Sequence, residues 1–139
     1  MKELADSTRT SLEAATALGV EVGQIAKSLV FAAGDGMVLV VASGADRVDI
    51  SALSAALNGA RIRRADADSV RAATGYAIGG VSPVGLPEGL PVLVDRMLST
   101  YDVVWAAAGT PHAVFPTTYD ELLRLTGGAP ADVRERPTD

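Results

Sequence analysis

Three short stretches of the chain bring together residue types able to do chemistry. The first is Ile25-Ala26-Lys27-Ser28-Leu29-Val30-Phe31, where one lysine interrupts an apolar, β-rich run. A cation at the mouth of such a strand stands beside a low-dielectric wall, which suits recognition of a phosphate or a carbonyl. An ordinary lysine that lays its stem along apolar surface and keeps its ammonium in water has the same local sequence. The stretch is not a phosphate-binding P-loop, because no glycine-rich loop precedes Ala26-Lys27-Ser28.

The second stretch is Gly79-Gly80-Val81-Ser82-Pro83. Paired glycines let backbone N–H and C=O groups come close to a ligand, so such a loop can bind an oxyanion or position a water without a catalytic side chain. A tight turn between two elements has the same composition. The third is Gly109-Thr110-Pro111-His112, a Gly-X-Pro turn that carries the only histidine of the chain. His112 either lines a pocket, where it can act as a general base, or sits exposed on a hairpin turn. Ser82, His112 and Asp95 do not make a convincing triad, because Ser82 lacks the Gly-X-Ser-X-Gly context of a nucleophile elbow.

Composition narrows the chemistry further. The chain contains no cysteine and one histidine, so disulfides, thiolate zinc sites, a cysteine nucleophile and a histidine-rich metal site are excluded, and no cofactor is implied. No apolar run approaches the roughly 20 residues of a membrane helix, and Met1-Lys2-Glu3-Leu4 does not open a signal peptide; the expected location is the cytoplasm, with no membrane partner. A net charge of −5 argues against a protein that coats nucleic acid, while leaving room for one that grips only an RNA end. Arg61, Arg63, Arg64 and Arg71 concentrate positive charge in one short stretch, which also reads as a solvated edge and helix face.

The elements that must position these groups follow from periodicity and turn chemistry. Thr10-Ser11-Leu12-Glu13 reads as a capping box, opening a helix that stops at Gly19. A second short helix is expected over Val22 to Ala26. Ser28 to Ala33 and Met37 to Ala42, joined by Gly34-Asp35-Gly36, read as a β-hairpin. Asp49 to Leu57 is helical and closes at Asn58-Gly59, Arg61 to Arg64 is a short strand, and Asp66 to Thr74 is a helix ending at Gly75. Glycine and proline forbid long regular structure from Ile78 to Pro91. Val92 to Asp95, Val103 to Ala107 and Ala113 to Phe115 are buried-strand candidates. Thr118-Tyr119-Asp120-Glu121 is a second capping box, for a helix to Leu125 that stops at Gly127-Gly128. Residues 129–139, with Pro130 and Pro137, read as a frayed tail after one domain of residues 1–128. The fold class is α+β (mixed α/β): a curled, barrel-like mixed β-sheet with helices packed around it.

In order and spacing these segments resemble the YbaK/ProX family of aminoacyl-tRNA deacylases. The resemblance is carried by Ser7-Thr8-Arg9-Thr10, the Ala14-Ala15 helix ending Leu18-Gly19, and Gln24-Ile25-Ala26-Lys27-Ser28-Leu29. It continues through Gly75-Tyr76-Ala77-Ile78-Gly79-Gly80-Val81-Ser82-Pro83, Pro91-Val92-Leu93-Val94-Asp95, Gly109-Thr110-Pro111 and the Asp120-Glu121-Leu122 helix, over about residues 5 to 128. Family members hydrolyse amino acids wrongly attached to tRNA, often tRNA for proline, and the domain also occurs inserted in bacterial prolyl-tRNA synthetases. The family lysine falls on Lys27, and its Gly-x-x-x-Pro loop on Gly79 to Pro83.

The resemblance implies catalytic roles for Lys27, Gly79 and Gly80, and a substrate pocket lined by Thr10, Ile25, Leu29, Ile78, Val81, Ser82, Pro83, Gly109 and His112. The implied partners are the aminoacyl-tRNA 3′ end and a synthetase. The alternative is a non-catalytic module that binds the aminoacyl-tRNA end or a synthetase. Two departures stand out. Family members carry an extra helix and strand before the Ser/Thr motif, so one edge of this fold is expected to be made differently. And Ala108 to Val114 replaces a Gly-Gly-Lys-Arg-Gly-Leu-Asp stretch of the cysteine-clearing branch, Val114 standing where that branch has aspartate.

Overall fold

The computed structural model describes residues 2–3, 11–76, 81–109 and 113–135. A short strand, β1 (Lys2–Glu3), precedes helix α1 (Ser11–Leu18). A 3-10 turn (Val22–Gln24) then leads into β2 (Ile25–Ala33), which returns as β3 (Gly36–Ser43). The helix expected over Val22 to Ala26 therefore ends at Gln24. Ile25 and Ala26 pair in parallel with Trp105 and Ala106, so sheet hydrogen bonding takes the backbone groups a longer helix needs. The hairpin is the one the sequence predicts: its register runs from Ala26↔Ser43 to Ala33↔Gly36, leaving Gly34 and Asp35 as the loop. Gly34 has a φ of +58°, the left-handed value a two-residue loop favours at its first position.

Helix α2 (Ile50–Ala56) is capped by Asp49, whose carboxylate accepts from the Ser51 and Ala52 N–H groups at 2.9 and 3.2 Å. Strand β4 (Ile62–Arg64) follows, then α3 (Ala67–Thr74), capped by the Asp66 carboxylate at 2.8 Å from the Ser69 N–H. Strand β5 (Val92–Asp95), a second 3-10 turn (Arg96–Thr100), β6 (Val104–Ala107) and β7 (Ala113–Thr117) come next. Helix α4 (Tyr119–Thr126) starts where the Thr118 hydroxyl accepts from the Glu121 N–H at 3.1 Å, and β8 (Ala129–Ala131) ends the series.

The strands form one mixed sheet of eight, ordered β1-β7-β6-β2-β3-β5-β8, with β4 branching from β2. The α+β class and mixed sheet agree with the sequence reading. The edge beside β7 is supplied by β1, through Lys2↔Val114 and Glu3↔Ala113. Strand β3 lies centrally and is buried from Val38 through Ser43, so its side chains feed both faces. On one face Leu39 and Val41 join Ala26, Val94, Val104 and Ala106 beneath Val70 of α3 and Leu122 of α4. On the other, Val38, Val40 and Ala42 join Phe31 beneath Leu53 of α2. Further along that second face, Ala14 and Ala15 of α1 cover Ile25, with Trp105 packed alongside.

The frayed tail expected from residue 129 is corrected for residues 129–135. Strand β8 pairs in parallel with β5, Val133 is fully buried against the second face, and Val48 bridges to Arg134. Burying a valine side chain is worth about 1.5–3 kcal/mol, and β8 covers an otherwise open edge of β5. Pro130 is tolerated because β8 is the outermost strand.

Candidate active site

Strand β2 holds the geometry that matters. Its hairpin edge is paired with β3 along nearly its whole length. Its other edge is shared: β6 takes residues 25–26 and β4 takes residues 31–33. Between them, at residues 27–30, no described strand pairs with that edge. Alternate residues of an antiparallel strand turn their N–H and C=O groups to the far edge, so backbone polar groups of this stretch face the break.

The second and third sequence motifs border the same break. Strand β6 runs on to Ala107 and Ala108, and Gly109 follows with a φ of +107°. A Cβ on Gly109 would lie 3.3 Å from the Tyr76 ring. The Tyr76 hydroxyl in turn donates to the Val84 carbonyl, and the Val84 N–H donates to the Ser82 hydroxyl at 3.2 Å. Val81, with Tyr76 and Val30 beside it, packs in the first-face cluster that holds Ala26 of β2 and Ala106 of β6. The Lys27 strand, the 81–84 segment and the Gly109 turn thus meet where β6 and β4 part.

Strand alternation puts Ile25, Lys27 and Leu29 on the second face, and Ser28 with Ala26 and Val30 on the first. Ile25 is buried under α1, Leu29 packs with the α2 cluster, and Val81 lies on the opposite side of the sheet from both. Ser82 and Pro83 are buried, and the Ser82 hydroxyl is engaged as a turn acceptor, not poised as a nucleophile. Thr10, Ile78, Gly79, Gly80 and His112 lie outside the described residues.

Lys27 is half-buried, and its Nζ donates to the Asp46 carbonyl at 2.7 Å. Burial pushes its ammonium below the ordinary lysine range; the Asp46 carboxylate opposes this, Arg47 adds to it, and Asp95 opposes it. Lys27 stands opposite Ala42 in the hairpin, and the β3–β5 register carries Asp95 to the far side of the same alanine. The alanine methyl leaves room between the ammonium and the carboxyl. Asp95 is 1% exposed. One of its oxygens accepts from the Met97 N–H at 3.0 Å, and the other has no hydrogen-bond partner. Burial raises its pKa above the carboxylate range, against the hydrogen bond from the Met97 backbone.

Sequence reasoning passed over the side chains of Ser28 and Asp46 and weighed Asp95 only as a member of a rejected triad. Ser28 Oγ and Asp46 Oδ2 are buried without hydrogen-bond partners, as is Asp95 Oδ2. The hairpin register was the available signal for Asp46. Once Gly34-Asp35 is the loop, the residues after Ser43 must return alongside the start of β2. For Asp95 the signal was a carboxylate ending the buried run Val92-Leu93-Val94.

The model of the aminoacyl-tRNA editing domain family matches residues 5–125. The chain belongs to this family of aminoacyl-tRNA editing domains. It is 35% identical over 125 residues to the uncharacterized protein YwhH of Bacillus subtilis, spanning 89% of this chain and 79% of that one. It is 28% identical over 120 residues to EbsC of Enterococcus faecalis, a proposed Cys-tRNA(Pro)/Cys-tRNA(Cys) deacylase, spanning 86% and 73%. Among solved structures, a proposed trans-editing enzyme for prolyl-tRNA synthetase superposes with a TM-score of 0.89 at 50% identity, covering 97% of this chain and 85% of that one. The fold is thus that of the YbaK-like trans-editing domains. No helix among the described residues is long and apolar enough to cross a membrane.

Proposed function

We propose that this protein is a cytoplasmic hydrolase that deacylates mischarged aminoacyl-tRNA in trans, removing a small amino acid such as alanine or cysteine from tRNA for proline. The observation that carries the reading is the break in the β2 ladder beside half-buried Lys27, bordered by the 81–84 segment and the Gly109 turn. The family membership and the deacylase name of EbsC support it.

Synthetases cannot exclude a slightly smaller amino acid by binding alone, since one methylene is worth about 1–3 kcal/mol, so a second hydrolytic sieve is needed. The ester at the terminal ribose is labile. The site has to hold the ester, polarise its carbonyl and admit one water. In this reading Lys27 leaves the Asp46 carbonyl to hold the terminal phosphate or ribose. Backbone groups of Gly79 and Gly80 hold the ester carbonyl and the water. The water gives up a proton as it adds to the carbonyl carbon, the bond to the ribose oxygen breaks, and that oxygen takes up the proton, leaving a free amino acid and a ribose hydroxyl. Thr10, Ile25, Leu29, Ile78, Val81, Ser82, Pro83, Gly109 and His112 shape the surrounding pocket, directly or by fixing its walls.

The test is a panel of aminoacyl-tRNAs incubated with the protein, with release of each amino acid followed over time. Fast release of alanine or cysteine and slow release of phenylalanine is the expected result. Binding without release from any member would instead establish the non-catalytic, end-binding alternative.

A further inference from the structure

We propose that β4 and the exposed last turn of α3 form a docking track for the phosphate backbone of the duplex stem behind the aminoacylated end. The inference rests on the proposed deacylase reading for the identity of the RNA, and adds to it a second contact surface outside the pocket.

The charge distribution is the first observation. Between residues 61 and 71 the chain has four arginines (61, 63, 64 and 71) and two aspartates (66 and 68), a net charge of +2. The whole chain is −5, so the remainder carries −7. A lone positive stretch on an acidic protein focuses an approaching polyanion onto one place.

The second observation is that none of these charges is held in an ion pair among the described residues. Arg61, Arg63, Arg64 and Arg71 are all exposed. The ion pairs among the described residues are Arg96–Asp132 and Arg124–Glu121, neither of which involves them. Arg63 makes one long hydrogen bond, at 3.4 Å, to the Gly34 carbonyl. Arg61, Arg64 and Arg71 have no side-chain hydrogen bond or ion pair among the described residues.

The third observation is position. Arg64 pairs with Phe31, the first residue of β2 beyond the break at residues 27–30. An RNA end seated in that break, with Lys27 on its terminal group, runs on past β4. Strand alternation sends Arg64 to the Lys27 face and Arg61 and Arg63 to the other, the face that α3 covers through Val70, so a phosphate backbone crossing the β4 edge meets guanidinium groups on both sides. Edge strands also carry charge to block pairing with other chains. That need accounts for charge on β4, but not for Arg71 on a separate helix.

The experiment compares two substrates of one chemistry, alanyl-tRNA for proline and the alanyl ester of adenosine, which has no stem. The variant is Arg64→Gln with Arg71→Gln, chosen because neither side chain makes a described contact whose loss would disturb the fold. On the whole tRNA, kcat/KM is expected to fall about tenfold or more, and the salt dependence of log KM to flatten by about 0.9 per lost contact. On the adenosine ester kcat/KM is expected to stay unchanged. Equal loss on both substrates, or no change on the tRNA, would overturn the proposal. Direct binding of uncharged tRNA by the wild type and the variant tests the track separately. Weaker, less salt-sensitive binding by the variant supports it even if no amino acid is released, and equal binding contradicts it.

Discussion

The two halves of β2 make different use of the same kind of strand. Its last residues, Phe31 to Ala33, are paired on both edges, to β3 and β4, and its apolar side chains sink into the cluster under α2. Its middle residues, 27–30, have β3 on one edge and no described strand on the other, and they include a half-buried lysine and a serine hydroxyl without a partner. A doubly paired strand has no backbone group left for a ligand. Interrupting the ladder for four residues leaves such groups available on a rigid element, which positions a ligand more sharply than a loop.

If the comparison is right, breaking the open half damages function and breaking the closed half damages stability. The largest expected effect is on Lys27→Ala. Losing a charge-assisted contact costs about 1.5–3 kcal/mol, so kcat/KM for deacylation should drop roughly ten- to a hundredfold, with the melting temperature near that of the wild type. A folded variant with unchanged kcat/KM removes Lys27 from the site.

Gly44→Ala sharpens the comparison from the structural side. Its N–H donates to the Ile25 carbonyl at 2.7 Å, and an added Cβ would lie 2.6 Å from the Val22 carbonyl oxygen. Backbone cannot yield as a flexible side chain does, so about 1–3 kcal/mol of stability should be lost. Gly36→Ala, whose Cβ would meet nothing closer than 3.9 Å, serves as the control at the far end of the hairpin. Equal denaturation midpoints for the two variants would show that the entry to β2 is less constrained than described.

Thr118→Ala should cost about 1 kcal/mol through loss of the α4 cap, without changing kcat/KM. An activity loss larger than the stability loss would connect α4 to the site.

The smallest effect expected is a pH dependence. The raised pKa of Asp95 means that, above the ordinary carboxylate value of 3.8, the folded protein keeps a proton the unfolded chain has released. Its contribution to stability is fully present below that value and is lost as pH rises through the folded pKa. Asp95→Asn keeps an oxygen for the Met97 N–H and removes the titration. The stability of Asp95→Asn relative to wild type should therefore grow as pH rises from about 4 to 7. A difference that stays constant over that range excludes Asp95 as the titrating group.

Much of the fold was legible because local chemistry and tertiary structure agree. Gly34-Asp35 forced a hairpin, Asp49, Asp66 and Thr118 each cap the helix they precede, and Gly75 and Gly127 end α3 and α4 with left-handed φ. The failures are places where distant partners decide. Ile25 and Ala26 became strand because β6 lies beside them. Residues 129–135 became ordered because β5 had a free edge and Val133 buries against the second face of the sheet. The site was legible as three segments but not as a shape. Nothing local to Ser28 announces that its oxygen is buried without a partner, and no spacing rule reveals that β6 and β4 divide one edge of β2.

The proposed deacylase seats the aminoacyl end in the break between β6 and β4. A non-hydrolysable amide analogue of alanyl-adenosine, titrated into isotopically labelled protein and followed by backbone amide chemical shifts, tests it most directly. The largest shifts are expected at residues 27–30, with Val84 and Gly109 following, and little change at the Gly34-Asp35 turn or in α2. Saturable shifts centred on α2 or the Gly34-Asp35 turn, with residues 27–30 unmoved, would contradict it.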